Sequence, residues 1–496
     1  MTTSELVRPR GEVVGRSRDR RAVLAVVALA ALAGAARLIG IATTHDLFLD
    51  EATYAEIAAS TGLVHGPLLH GLPFVLHPPL AFLLLMLPAD LVAAPDRAAL
   101  IVALRPFVAL AGVGVVAVVV AVLRSSGLRR AAVVAGLLLA LDPFAIRFDT
   151  RLMLEAFAQL AVVAMVAAAV QVARGRGRRW VAATAVAGGL CLGTKETFGM
   201  VAVATLLLVA IATSGVVRRR LLVATAGSVG GYVLVNGAMA AWAGPELWWA
   251  MRLTGLQRLL GVDQATGFNA PDAEVSLWDR VLPNVAEVGI TYVVLVAGGL
   301  CALTLCILAL RARRPGPLDA RQALQVVVAA WATASWAYVT YAVVLGSLEE
   351  QMFYIALAPS VVALAVVLDR ARLAVAVPVV AVVLLGQVAS WVVVHTQRDD
   401  VYLQMFAWAQ DHVPEGSTIL VTEDSAQFLL HGYRLSSDPT TVALGDTDYV
   451  LLSPVLVAQG YGVADQGFVD DLRDHGTLVH TVVGRENTLE LWDVQP

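Results

Sequence analysis

Charged residues and cysteines are scarce in this chain of 496 residues, and each shortage excludes a class of protein. Only 15% of the residues are charged, 58% are hydrophobic and the mean hydropathy is +0.74. Soluble domains carry about 25% charged residues, so an ordinary soluble chain is excluded. The three cysteines, Cys191, Cys301 and Cys306, lie in apolar segments, at spacings typical of neither a disulfide framework nor a zinc site.

Lysine is almost absent, since Lys195 is the single lysine among 35 basic residues. The bias toward Ala, Val, Gly and Arg is typical of a GC-rich genome, which depletes lysine codons without a functional reason. That bias does not explain why one lysine remains at a break between two apolar runs, beside Glu196 in GGLCLGTKETFGM.

Long apolar runs fill most of the chain. They recur from RAVLAVVALAALAGAARLIGIATT to ARLAVAVPVVAVVLLGQVASWVVV, between Arg21 and His395. A bilayer is crossed by about 20 apolar residues, so we expect about 11 to 13 spans. The predicted fold class is a polytopic all-α membrane protein, with a membrane domain over residues 22–397.

Arginine clusters predict which loops face the cytoplasm. They lie at residues 8–21, 124–130, 174–179, 218–220 and 311–314, and at Arg370 and Arg372. The positive-inside rule makes these loops cytoplasmic and residues 1–21 a cytoplasmic tail. The regions near 45–76, 144–151, 194–197, 243–285 and 346–351, and everything after His395, then face outward.

One count does not fit this alternation. The chain must cross an odd number of times between the outer loop ending near His77 and the inner loop at Arg124, yet two apolar segments, about 78–95 and 98–123, lie between them. Either one segment is re-entrant or interfacial, or the Arg124 loop is an exception to the rule.

The composition changes after Arg398. Residues 398–496 hold 16 carboxylates against four arginines, a net charge of −12, which leaves +8 for the rest of the chain. FAWAQDHVPEGSTILVTED predicts a helix, a turn and a buried strand, and DYVLLS, GTLVHTVV and TLELWDV predict further strands. We expect a small extracytoplasmic α/β domain, whose acidic surface argues against binding phosphates or nucleic acid.

Polar residues follow the first span in HDLFLDEATYAEIAAS. Asp50 and Glu51 are adjacent carboxylates, and Tyr54 shares a helical face with Asp50. One reading is a catalytic pair at the membrane surface. The other is that acidic residues in a first helical turn complement the helix dipole.

A second charged segment, LDPFAIRFDTRLMLEAFAQL, lies between two apolar runs and contains Arg147, Asp149, Arg151 and Glu155. Ionisable residues at membrane depth usually line a cavity or a substrate path. Arg151 and Glu155 are four residues apart, so a structural pair between them is the alternative to an anion site.

His77 and Lys195 are candidate ligands for an anion. His77 precedes two prolines in LHPPLAFLLLMLP, where an outer helix begins. Lys195 would face the same side of the membrane as His77, and lysine binds phosphate as a point charge. The alternative is an ion pair of Lys195 with Glu155 or Glu196 that holds helices together.

In this order, FLDEATYAEIA, HPPLAFLLL, DPFAIRFDTRLMLEAFA and GTKETFG resemble the GT-C superfamily of membrane glycosyltransferases. The branch is the one that holds the protein O-mannosyltransferases and the lipid A aminoarabinose transferases. The resemblance covers about residues 20–215 and makes 22–215 the catalytic module.

The resemblance implies inverting transfer of a sugar, such as mannose or arabinose, from a polyprenyl phosphate to a protein, lipid or cell-wall acceptor outside a bacterial plasma membrane. It implies a catalytic carboxylate at Asp50, with Glu51 beside it, and donor-phosphate binding by His77, Arg151 and Lys195. In that family an Arg is followed by hydrophobic residues and an Asp. Arg151 matches the Arg, and Glu155 stands in place of the Asp. Tyr54, Asp149 and Glu196 are supporting candidates.

Two alternatives stay open. A divalent metal is one, because Asp50, Glu51 and the outer histidines could supply ligands; their spacing matches no metal motif, so we predict no metal site. The other is a lipid or sugar transporter or flippase, which would also contain many spans and charges. A transporter is expected to contain internal repeats, and none is found.

Overall fold

The structure is a computed structural model that describes residues 11–262, 277–311, 316–346, 348–423, 430, 432–436, 447–458 and 464–495. The expected outer loop at 243–285 therefore lies partly outside the described residues. The helices are α1 (Gly11–Leu38), α2 (Leu49–Ser60), α3 (Leu80–Leu91), α4 (Arg97–Ser125), α5 (Arg129–Leu141), α6 (Pro143–Asp149), α7 (Glu155–Ala173), α8 (Arg178–Leu192), α9 (Glu196–Ala212), α10 (Gly215–Ala243), α11 (Pro245–Leu259), α12 (Leu277–Arg311), α13 (Ala320–Val344), α14 (Met352–Leu368), α15 (Leu373–Thr396), α16 (Val401–His412), α17 (Pro454–Ala458) and α18 (Gln466–His475). The strands are β1 (Leu68–Leu69), β2 (Leu72–Pro73), β3 (Thr418–Val421), β4 (Arg434–Ser436), β5 (Tyr449–Leu452), β6 (Thr477–Val483) and β7 (Thr488–Asp493).

The predicted polytopic helical membrane protein is confirmed. Within the described ranges, seven helices are long and apolar enough to cross a membrane, and α5 with α6 makes an eighth if that pair, bent by 60°, is one span. Three further apolar helices, α3, α9 and α14, are shorter. The sequence predicted 11 to 13 spans because it counted apolar runs. Polar residues break several of these runs into helices that are too short to be counted as spans here.

The short helix α3 bears on the problem of alternation. Its 12 residues extend about 18 Å, which is less than the roughly 30 Å of a hydrocarbon core. The first alternative, in which one of the two segments between His77 and Arg124 does not cross, therefore agrees with the structure.

Two ends of the helical bundle differ in chemistry. At one end the arginine-rich loops contact each other: Arg220 donates to the carbonyl of Gly175, and Arg321 pairs with Asp369. At the other end lie the loop after α1, the start of α3, the break between α8 and α9, and α11. We call this second end the loop face.

The C-terminal domain packs on the loop face. Its five strands form one sheet in the order β4-β3-β5-β7-β6, in which β3 is parallel to β4 and β5 and the β5-β7-β6 pairs are antiparallel. Asp399, at the entrance to this domain, donates its backbone N–H to the carbonyl of Thr43 after α1 (2.8 Å). The helix α16 and the strands β3, β5, β6 and β7 lie in the segments for which the sequence predicted them, so these predictions are confirmed.

Candidate active site

The adjacent carboxylates Asp50 and Glu51 lie in the first turn of α2, but their surroundings differ. Glu51 is completely buried, as is Arg105 of α4, and the Nε and Nη2 atoms of Arg105 donate to its two oxygens at 2.9 and 2.8 Å. The backbone N–H of Leu152 donates to Oε1 (2.7 Å) and that of Phe48 to Oε2 (3.2 Å). Four donors saturate a carboxylate, so Glu51 anchors the helix start.

Asp50 is partly exposed, and its carboxylate makes no hydrogen bond or ion pair with the residues that the structure describes. Burial raises its pKa to about 7; the charges of Lys195 and Arg258 lower the pKa, whereas those of Glu155 and Glu349 raise it. A carboxyl group with this pKa can take up a proton near neutral pH, as a general base must.

Tyr54 lies one helical turn after Asp50 on α2 and contacts His77. The Tyr54 hydroxyl is 3.3 Å from Nε2 of His77, and the phenol ring packs on Phe82 of α3. Burial, together with the positive charges of Lys195, Arg252 and Arg258, lowers the pKa of His77 to about 3. His77 is therefore neutral at physiological pH and can only offer a hydrogen bond to an anion.

Lys195 ends the break between α8 and α9 and pairs with the buried Glu155 at the start of α7. This is one of the two ion pairs that the sequence left open. Glu196 pairs instead with Arg252 of α11 and accepts from the Tyr232 hydroxyl (3.1 Å). The start of α3 joins the same break, because the N–H of Leu80 donates to the carbonyl of Gly193 (3.0 Å).

Close packing explains the glycine at this break. A Cβ atom at Gly193 would lie 2.5 Å from the Leu80 side chain, which is too close. Glycine at this position therefore lets the segment that carries His77 approach the segment that carries Lys195.

Sequence reasoning missed two cations, Arg252 and Arg258, both on α11. Arg252 donates to the carbonyl of Leu76 (3.3 Å), yet its Nε and Nη2 atoms are buried without a hydrogen-bond partner in the described part of the chain. Arg258 is exposed and makes no hydrogen bond or ion pair within the same part. Their spacing of six residues in PELWWAMRLTGLQRL matches no motif, so only the fold brings them near His77.

Arg151 does not pair with Glu155 in the structure. Its Nη2 donates to Oε2 of Glu486, in the turn between β6 and β7, at 2.7 Å, and its guanidinium lies 5.7 Å from the centre of the Phe48 ring. Arg147 donates to the same oxygen (3.2 Å) and also pairs with Glu350.

Asp149 lies deeper in the bundle. It pairs with Arg37 of α1 (2.8 Å) and accepts from the Tyr354 hydroxyl of α14, and both it and Arg37 are almost fully buried. These contacts join three helices, and none of them involves Asp50, His77 or Lys195.

A divalent metal held by Asp50 and Glu51 does not fit these residues, because the four donors to Glu51 leave its oxygens no free lone pair. Within the described ranges, no three His, Cys, Asp or Glu side chains lie close enough to hold a metal ion.

Residues 76–242 match the family model of the dolichyl-phosphate-mannose-protein mannosyltransferases, which is about a third of the chain. No curated protein sequence matches. ArnT from Cupriavidus metallidurans, solved with undecaprenyl phosphate, has a similar structure, with a TM-score of 0.57, 16% identity and coverage of 95% of this chain and 97% of that one. The oligosaccharyltransferase AglB from Archaeoglobus fulgidus, solved with an inhibitory peptide and a dolichol-phosphate, has a TM-score of 0.56, 12% identity and coverage of 95% and 74%.

The matched region begins at the His77 motif and ends with α10, so it contains the second, third and fourth motifs of the resemblance. The two solved structures are similar over nearly the whole chain, including residues beyond that region. The resemblance found in the sequence is confirmed at the level of fold, and the chain has the polytopic GT-C fold of membrane glycosyltransferases.

Proposed function

We propose that the chain is a membrane glycosyltransferase that moves a sugar from a polyprenyl-phosphate donor to an acceptor hydroxyl, with Asp50 as the general base. The observation that carries the proposal is the Asp50 carboxylate, which has no partner among the described residues, has a pKa of about 7 and lies within range of the charges of Lys195 and Arg258. The undecaprenyl phosphate bound by ArnT and the dolichol-phosphate bound by AglB support this donor class.

In the proposed reaction the acceptor oxygen attacks the anomeric carbon from the face opposite the phosphate. The new carbon–oxygen bond forms as the bond from that carbon to the phosphate oxygen breaks, which inverts the configuration. The hydroxyl proton passes to Asp50, and the lipid phosphate leaves with one more negative charge. General base catalysis of this kind contributes about 10² to 10⁴ in rate.

The donor phosphate is assigned to the cations near Asp50. Lys195, Arg252 and Arg258 act together on the pKa of His77, so their fields overlap at one place. Fixed cations stabilise a leaving group most when its charge is greatest, in the transition state. His77 can donate one neutral hydrogen bond to a phosphate oxygen. Arg151, already bound to Glu486, is assigned to holding the site together.

The acceptor is a protein, lipid or cell-wall glycan on the outer side of a bacterial plasma membrane. The arginine-rich loops contact each other at the end opposite the loop face, and the positive-inside rule puts them in the cytoplasm. The amino terminus is then cytoplasmic. Asp50, His77, Lys195 and the C-terminal domain are extracytoplasmic. Mannose and arabinose are the sugars to test first.

The test measures transfer in membranes supplied with radiolabelled polyprenyl-phosphate mannose or, separately, arabinose. Wild type should move label to a new acceptor, Asp50→Asn should not, and Glu56→Gln, a carboxylate lost from the same helix α2, should retain transfer. Label that crosses the membrane on its lipid without forming a product would instead establish a transporter or flippase. Equal transfer by wild type and Asp50→Asn would overturn the assignment of the base.

A further inference from the structure

The turn between β6 and β7, residues 484–487, reaches from the C-terminal domain into the loop face; we call it the hairpin tip. Both oxygens of Glu486 are occupied there. Oε2 accepts from Arg151 (2.7 Å) and Arg147 (3.2 Å), while Oε1 accepts from Arg485 (2.8 Å) and lies 3.2 Å from Nδ1 of His45. Burial alone would raise the pKa of Glu486, but Arg147, Arg151 and His45 hold it well below its usual range.

Arg485 fixes the hairpin tip to α12, to α15 and to the loop after α1. Its Nε donates to Glu287 of α12 (2.6 Å), Nη1 to the carbonyl of Val394 of α15 (2.9 Å) and Nη2 to the carbonyl of Thr44 after α1 (2.8 Å). The buried Asp399 shapes the turn by accepting the backbone N–H groups of Arg485 and Glu486 at 2.9 and 3.1 Å.

Two short paths lead from these contacts to Asp50. Arg151, held by Glu486, precedes Leu152, whose N–H donates to Glu51, the neighbour of Asp50. His45, whose Nδ1 lies 3.2 Å from Oε1 of Glu486, offers its carbonyl to Arg105, whose guanidinium binds Glu51. The loop before α2 is therefore held by Arg105 on one side and by the hairpin tip on the other.

We propose that the hairpin tip is a positioning element for Asp50, acting through Arg151 and His45. The effect on catalysis rests on the proposed function. The effect on the order of the loop before α2 does not rest on it. Residues 484–487 form no hydrogen bond or ion pair with Asp50 in the described part of the chain. The C-terminal domain then holds one side of the loop before α2, and Arg105 holds the other side.

The structural part is tested by hydrogen exchange in the full-length protein in detergent. Glu486→Gln removes the charge that holds Arg151, so the amides of residues 44–52 and of Leu152 should exchange at least tenfold faster than in wild type. Glu415→Gln, which removes an exposed carboxylate of the same domain, should leave them unchanged. Unchanged exchange in Glu486→Gln would overturn the proposal, whether or not the chain transfers sugar.

The catalytic part is tested by the steady-state kinetics of transfer. A misplacement of about 1 Å costs on the order of 10²-fold, so Glu486→Gln should lower kcat by about 10- to 100-fold with the donor KM within about twofold. Glu486→Asp, which keeps the charge, should recover part of the loss. A lower KM with unchanged kcat would overturn the proposal, because Glu486 would then compete with the donor phosphate for Arg151. Absence of transfer by wild type, with faster exchange in Glu486→Gln, would reject the proposed function alone.

Discussion

At the scale of single residues, two neighbouring carboxylates differ in their surroundings, and the proposed function gives a structural role to Glu51 and a chemical role to Asp50. Glu51 has four donors and is completely buried, whereas Asp50 has no partner in the described part of the chain and is partly exposed. The sequence predicted the pair but could not separate the two roles, because three of the four donors to Glu51 come from Arg105 and Leu152, which are 54 and 101 residues away. The dipole-complementing alternative also holds for Glu51, which caps the first turn of α2.

The pKa of Asp50 predicts the pH dependence of transfer. Burial raises that pKa from 3.8 to about 7, and only the deprotonated form accepts a proton. The rate of transfer should therefore be half-maximal near pH 7 and should fall about tenfold per pH unit below it. Values of kcat/KM for the donor, measured from pH 5 to 9, check this, because they report the pKa of the enzyme without bound donor. A wild-type rate that stays constant from pH 5 to 7 would contradict the role of Asp50.

Breaking the buried ion pair of Glu51 should cost stability. Arg105→Met leaves the Glu51 carboxylate buried without its partner, which costs about 3 to 5 kcal/mol. Thermal unfolding in detergent measures the loss. Asp50→Asn is the matched control: a raised carboxyl pKa means that stability falls as the pH rises from about 4 to 7, so Asn should leave the Tm unchanged or higher at pH 8. Equal losses in both variants would contradict the division of roles.

At the scale of elements, the helix α11 brings two arginines to a site that the sequence built only from α2, α3, α7 and α9. The sequence expectation for residues 243–285 was an outer loop, and its first part is the helix Pro245–Leu259. Contacts between elements that are distant in sequence determine which residues form the site. Arg252, for example, contacts Glu196 and the carbonyl of Leu76. Single-element patterns, including the strands β3, β5, β6 and β7, were predictable because alternation and composition are local properties. The three-residue strand β4 was too short to leave such a pattern.

Two variants separate the cations of the site by their partners. Arg258→Ala removes an exposed charge with no partner in the described ranges, so donor affinity should fall by about tenfold without loss of Tm. Lys195→Ala should weaken donor binding as well and also lower the Tm, because Glu155 is left buried and unpaired. Equilibrium binding of labelled polyprenyl phosphate and thermal unfolding measure both effects. Unchanged affinity in Arg258→Ala would remove Arg258 from the phosphate site.

At the scale of the whole molecule, the C-terminal domain and the membrane domain are joined by buried charges. Arg485→Ala leaves Glu287 and Asp399 buried without that guanidinium. We expect the C-terminal domain to unfold separately, at a lower temperature than the membrane domain, where wild type has one transition. Scanning calorimetry in detergent checks this. Arg434→Ala, an exposed arginine on β4, is the control, and a single unshifted transition in Arg485→Ala would contradict it.

The contact between His45 and Glu486 joins residues 441 positions apart in the chain. A ribosome adding about 5 to 20 residues per second takes roughly 20 to 90 s to pass from one to the other. The segment that carries Asp50 is therefore synthesised long before the strands β6 and β7, whose turn contacts it through Glu486. Under the proposed function, a nascent chain therefore holds Asp50 in its final position only after Glu486 has been synthesised and has reached His45.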